Sequence, residues 1–248
     1  YYSATQPFPV KPPPFGRIRF TMDDIATVTP EHTAACRELL MTFEGGRNRG
    51  PFTPPSVEGA LVFPATGGGT EFTGGTFDPR LGYYIINHAD TGHISRLIRM
   101  DDDPDRRGYG GPPESRRLYW HAPVRMAVDG WPCWQPPWSR LTAVDVNTGE
   151  IAWQIPFGTV EGAPPGVETG APNSQNGGPT STAGGVLFIG GATDRQFRAY
   201  ETKTGRELWN VETEQVIRGA NPITYMGKDG KQYVAVAAGT TLLTYTLP

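Results

Sequence analysis

At 248 residues the chain is long enough to bury a sizeable core as one large domain or two small ones. Gly (32) and Pro (25) approach the level at which low complexity is suspected, but six Trp, ten Tyr and eleven Phe exclude a disordered chain. A formal net charge of -3 gives no basic footprint for nucleic acid or for an anionic membrane surface, which favours small or neutral partners.

The first residues, Tyr1 to Pro7, carry no Met start, no basic n-region and no apolar h-region, so the numbering is expected to begin at a processed or incomplete end. Residues 1–55 read as an irregular Pro-rich segment, because Pro7, Pro9, Pro12, Pro13 and Pro14 interrupt regular backbone ladders. One helix is predicted there, over Thr29 to Leu40, with Thr29 as N-cap and Pro30 at the first helical position. Cys36 and Cys133 are the only cysteines and form no CxxC or CxxCH pattern, which leaves a zinc ribbon and covalent c-type haem unsupported. Two readings stay open for them: a free pair of buried thiols, or a disulfide made in an oxidising compartment.

From Gly59 onward short apolar runs alternate with Gly, Asn, Asp and Pro, as in Ala60 to Phe63, Tyr83 to Ile86, Val186 to Ile189 and Tyr233 to Val236. These are predicted strands. Asp101 to Arg107, followed by Gly108, Gly110 and Gly111, reads as a solvated loop and not an ion site, since hard cations need converging oxygens and not merely adjacent ones. The apolar runs are all far shorter than the roughly 20 residues of a membrane helix.

The most informative feature is an internal repeat. Ala143 to Trp153 matches Ala199 to Trp209 in the form AxD/ExxTGxxxW. In each copy a strand ends at an acidic residue, a Gly closes the turn, and a returning strand carries Trp, so the unit is a hairpin. A weaker relative runs from Phe77 to Tyr84. Strand repeats of this spacing predict propeller blades, with Trp153 and Trp209 buried between adjacent blades; the alternative is a β-sandwich with two similar hairpins.

These hairpins resemble the tryptophan-docking motifs of the pyrroloquinoline-quinone-dependent dehydrogenases, whose propellers have eight blades. The resemblance extends to Pro51 to Gly59, Gly67 to Thr70, Cys133 to Leu141, Gly177 to Gly185 and Asn221 to Gly239, and is nearest to the glucose-dehydrogenase-like branch. It implies an all-β fold, about half of an eight-bladed ring, with residues 56–248 forming C-terminal blades. It also implies a quinone over a divalent cation, usually calcium, and hydride transfer from a sugar or alcohol to the quinone C5 carbonyl, with an aspartate as base. In that family the base, the main cation ligands and the stacking tryptophan lie largely N-terminal to the matching region, so no catalytic residue and no metal ligand is assigned here.

The resemblance points to Asn87, Asn176 and Asp194 as cofactor contacts, each weighed against an ordinary turn residue that satisfies backbone groups. His88, His93 and His121 read as core or surface histidines. Trp131, Trp134 and Trp138 read as packing under a Pro-rich loop in preference to a sugar platform. Because the family is exported, the resemblance favours a Cys36–Cys133 disulfide and a periplasmic or otherwise exported location. The expected partners are the N-terminal half of the propeller or another protein chain, with peripheral association to a membrane complex. The function implied is the C-terminal portion of a quinoprotein dehydrogenase. A non-catalytic scaffold or assembly subunit is the main alternative, and an interaction propeller without enzymatic ancestry a third.

Overall fold

The computed structural model describes residues 5, 9–43, 48, 50–51, 53–99, 119–174 and 176–246, without the side chains of residues 120 and 122. The acidic loop expected at 101–111 lies outside the described residues. Three antiparallel sheets follow one another as blades. The first joins β2 (Thr76–Asp78), β3 (Tyr83–Ala89), β8 (Ser139–Asp145) and β9 (Glu150–Pro156) in that spatial order. The second joins β10 (Thr180–Ser181), β11 (Val186–Ile189), β12 (Gln196–Glu201) and β13 (Glu207–Glu212), and the third joins β14 (Ile223–Met226), β15 (Gln232–Ala238) and β16 (Thr241–Thr246).

The repeat is visible in the backbone. Gly149 and Gly205 occupy the left-handed region at φ 71° and 73°, and their amides donate to the carbonyls of Asp145 and Glu201 at 2.8 and 2.9 Å. Both outer hairpins also shift register at the same place, Ala143/Val144 and Ala199/Tyr200. Trp153 docks across the blade boundary: its indole N–H donates to the Thr202 carbonyl at 3.0 Å, and a Cβ added to Gly205 would lie 2.7 Å from the ring. The small residue in the turn is therefore what lets the large aromatic approach.

Trp209 departs from the expected burial. It is 38% exposed, because the sheet that it faces offers Tyr245 of β16, edge-on at 5.3 Å, where the second blade offers a Thr-Gly turn to Trp153. Trp153 itself is partly, not fully, buried. Between the first two blades Ile85, Leu141 and Ala143 pack on Leu187 and Tyr200, and between the second and third Phe197 packs on Val234 and Val236. Polar links cross the same seams: Asp78, 1% exposed, accepts from Thr202 Oγ1 at 2.8 Å, and the Thr76 and Ser181 hydroxyls lie 2.8 Å apart.

The weak repeat at Phe77 to Tyr84 is not a blade of its own. It is the inner hairpin of the blade whose outer hairpin is Ala143 to Trp153, because residues 90–138 are inserted between β3 and β8. The insertion carries β4 (His93–Arg99), β5 (Tyr119–Arg125), β6 (Ala127–Val128) and β7 (Trp131–Pro132); β1 (Ala60–Val62) pairs with β4 to complete a side sheet. Onto it packs α1 (Pro30–Met41), whose N-cap is Thr29, accepting from the His32 amide at 3.2 Å. A short 3-10 turn, Met22–Asp24, precedes it. One core joins Cys36 and Leu40 of the helix to Leu61, Ile94, Met126 and Trp138, and the Cys36–Cys133 disulfide closes it with 5.3 Å between the Cα atoms. Among the described residues no helix is long and apolar enough to cross a membrane.

Candidate functional site at the loop end of the blades

Antiparallel alternation puts the starts of β2, β10 and β14 at the same end of the blades as the finishes of β3, β11 and β15. The first strands are also neighbours, since Thr76 meets Ser181, and Thr180 Oγ1 donates to the Pro222 carbonyl at 2.6 Å. They form the inner wall. The loops that lead into them, 63–75, 157–179 and 213–222, gather at that inner end.

The three cofactor-contact residues expected from the sequence converge on one of these loops. Asn87, at the finish of β3 and 2% exposed, donates from Nδ2 to the Ser174 carbonyl at 3.0 Å. Its Oδ1 is buried with no hydrogen-bond partner among the described residues, an orphaned acceptor that costs free energy unless something fills it. Asn176 lies two residues beyond Ser174. Its carbonyl accepts from the Gly219 amide at 2.5 Å, while its side chain has no hydrogen-bond partner among the described residues. The Thr193 amide reaches Ser174 Oγ at 3.4 Å, which brings the neighbouring Asp194 to the same place.

Asp194 is not a free carboxylate. It accepts from the Thr159 amide at 2.8 Å, from the Gln196 amide at 3.2 Å and from both terminal nitrogens of Arg198, with the two side chains only 8% and 6% exposed. A carboxylate whose lone pairs are filled by internal donors supports the loops that carry them. Here it pins 157–159 to the β11–β12 turn.

Sequence reasoning missed Phe72. It lies on the Gly-rich loop before β2, 83% exposed, next to Gly219, whose added Cβ would lie 3.7 Å from the ring. The loop is fastened on both sides: Gly69 accepts from the Ala89 amide at 2.7 Å, and Thr73 accepts from Asn221 Nδ2 at 2.9 Å. A ring held out to solvent beside Gly219 was legible only as an aromatic in a glycine run, a signal too slight to separate from turn composition.

The histidines stand apart from this end of the site or are spent. His88 is buried on the opposite face of the first blade, 3.0 Å from Thr142 Oγ1 and with the tilted Phe15 ring 5.4 Å away; burial, helped by the positive Arg140, pulls its pKa down to about 3. His93 and His121 lie on the side sheet, where His121 Nε2 meets Ser95 Oγ at 2.7 Å. Trp134 and Trp138 are buried in the core of that sheet and Trp131 packs against it, so none of them forms an open platform.

Comparison with known proteins agrees with this architecture. The family profile described as "PQQ: Glucose/ethanol/alcohol dehydrogenase, beta-propeller domain" matches residues 1–234. The quinate/shikimate dehydrogenase (quinone) of Acinetobacter baylyi is 33% identical over 255 residues, covering 96% of this chain and 31% of the relative. The glycerol dehydrogenase large subunit of Gluconobacter thailandicus (33%; 96% of this chain, 35% of the relative) and the quinoprotein glucose dehydrogenase of Escherichia coli (33%; 96% and 31%) are similar to the same extent. Among solved structures, the quinohemoprotein alcohol dehydrogenase from Comamonas testosteroni matches at 26% identity and a TM-score of 0.49, covering 73% of this chain and 24% of that one. The chain spans about a third of the length of the curated relatives it matches. The repeated tryptophan hairpins, the sheet order and the profile match lead to one conclusion: the chain belongs to the PQQ-dependent glucose/ethanol/alcohol dehydrogenase β-propeller family.

Proposed function

We propose that the chain supplies one sector of a quinone-binding propeller in a dehydrogenase that oxidises a sugar, polyol or related alcohol. The observation that carries this reading is the inner loop end, where Asn87 Oδ1 and the Asn176 side chain, both without a hydrogen-bond partner among the described residues, and the exposed Phe72 ring lie on connected loops. Asn176 would meet a polar edge of the cofactor and Phe72 would cover a face, while Asn87 and Asp194 hold the 157–179 loop that presents Asn176. Pyrroloquinoline quinone, when bound, supplies the two-electron acceptor for hydride from the substrate's carbinol carbon.

Calcium fits this sector less well. Among the described residues the only group of three converging metal-ligand side chains is His32, Cys36 and Cys133, in the core of the side sheet and made of nitrogen and sulfur donors. Calcium takes oxygen ligands, so its site and the base are assigned to other blades of the ring. The buried disulfide favours an oxidising compartment, which we take to be the periplasm, with the remaining blades or another chain, and a membrane complex, as partners. In chain order, residues 1–55 are the segment that precedes the blades and residues 56–248 the part that carries them.

The protein that carries this chain, reconstituted with pyrroloquinoline quinone and calcium, should reduce an artificial dye with quinate, glycerol or glucose. Asn176→Ala and Phe72→Ala should each weaken quinone uptake while leaving the fold intact. The scaffold reading draws on Asp194, whose carboxylate is spent on Arg198 and on two backbone amides. A folded protein that takes up no quinone and reduces no dye would establish that second reading.

A further inference from the structure

The disulfide has a third neighbour. His32 and Cys36 stand at i and i+4 on α1, which places both side chains on one face of the helix, and Cys133 approaches that face from the loop after β7. His32 Nε2 lies 3.5 Å from Cys36 Sγ, and the donor atoms of all three residues fall within 4.8 Å of one another, each residue buried. In a tetrahedral zinc site with Zn–S near 2.3 Å and Zn–N near 2.0 Å, neighbouring sulfur and nitrogen ligands stand about 3.5 Å apart. The His32–Cys36 pair already has that separation.

We propose that in the dithiol state His32, Cys36 and Cys133 bind one thiolate-seeking cation of the zinc class. The disulfide and the metal are then alternative crosslinks between α1 and the side sheet. A disulfide sulfur is a poor ligand; a thiolate is a strong one. Reduction by an external dithiol places two electrons and two protons on Cys36 and Cys133 and converts the donor to its own disulfide. The cation then displaces both thiol protons, and the neutral imidazole of His32 donates a lone pair from Nε2. Soft sulfur and imidazole donors in an apolar shell of Leu40, Trp131 and Trp134 select zinc or Cu(I) over calcium or magnesium.

The second shell sets the strength. Nε2 now lies 3.2 Å from the Trp131 carbonyl, to which it donates when it carries the ring proton. Loading the metal moves that proton to Nδ1, which has no partner among the described residues. A metal-bound His without an outer acceptor loses affinity, so this site should bind well below the strength of a four-ligand structural zinc.

The test is a titration of the 248-residue chain, reduced with a phosphine under anaerobic conditions, with Co2+ and then Zn2+. One equivalent of Co2+ should give a thiolate-to-cobalt charge-transfer band that Zn2+ removes. His32→Gln should keep the band but bind about tenfold or more weakly, and the oxidised chain should give no band. Equal affinity in His32→Gln would overturn the proposal, as would the absence of the band in a reduced chain that keeps its near-UV circular dichroism. If reduction alone loosens the side sheet, Zn2+ should restore the near-UV signal, and failure to restore it counts equally against the site.

Discussion

Two buried ionisable residues contribute to the acid response of the fold in separate pH windows. Asp78 is held to a pKa of about 2, first by the Arg80 guanidinium at 2.9 Å, whose pull outweighs the cost of burial, and further by Thr202. An unfolded chain binds the Asp78 proton near 3.8, so the contribution is complete above that value and is lost as pH falls towards 2. Asp78→Asn should lower the melting temperature at pH 7 and narrow its gap to the parent between pH 4 and 2, as read by thermal melts. His88 acts over a higher range. Its folded pKa of about 3 lies below the ordinary 6.5, so between these values only the unfolded chain takes the proton and stability falls as pH drops from 6.5. The His88 ring signals should therefore show no titration by NMR above about pH 4, and titration near 6.5 would mean that the ring reaches water.

The blade boundary is an element-scale device, and its parts are unequal. Trp153→Ala should cost about 3 to 5 kcal/mol, since it removes a large aromatic seated on the next blade's turn. Trp209→Ala should cost roughly half as much, because the transfer term scales with the apolar area removed from water and Trp209 keeps 38% of its surface exposed. Gly205→Ala should cost about 1 to 2 kcal/mol from its left-handed backbone alone, and more while the Trp153 ring lies where the methyl must go. In a Trp153→Ala background that excess should vanish, so chemical denaturation of the double variant should show less than the sum of the single costs. The hairpins were legible because turn chemistry is local: an acid, a Gly and a returning Trp fix the unit within eleven residues. The first blade was not legible as one sheet, because its two hairpins are parted by the 90–138 insertion, and hydrophobic pattern does not say which strands pair across such a gap. The site was half legible for a similar reason. Asn87, Asn176 and Asp194 stand out at strand ends, but that Asp194 is filled by Arg198 depends on side-chain geometry that spacing does not reveal.

At the scale of the molecule, the blades form an open arc whose two ends are finished differently. Towards the first blade the N-terminal segment acts as a strap: the Lys11 stem covers Gly149, the Phe15 ring lies 5.4 Å from that of His88, and Arg17 donates to the buried Asp90 carboxylate at 2.6 Å. The third blade has no such cover among the described residues. Leu208, Trp209, Ile223, Tyr225, Met226 and Leu242 are exposed on the second and third blades, and β16 is the outermost strand of its sheet among the described residues. Apolar patches left open to water drive association. A propeller also collects its axial ligands from every blade, whereas Phe72, Asn87, Asn176 and an Asp194 already spent on Arg198 come from the first two blades alone. The isolated 248-residue chain should therefore oligomerise, as measured by size exclusion with light scattering, and should form no stoichiometric complex with pyrroloquinoline quinone and calcium. Leu242→Lys and Met226→Lys together should shift it towards monomer without lowering its melting temperature. A monomeric parent chain that oxidises glucose with added quinone would place the whole active site within these blades and refute the division of labour proposed for the ring.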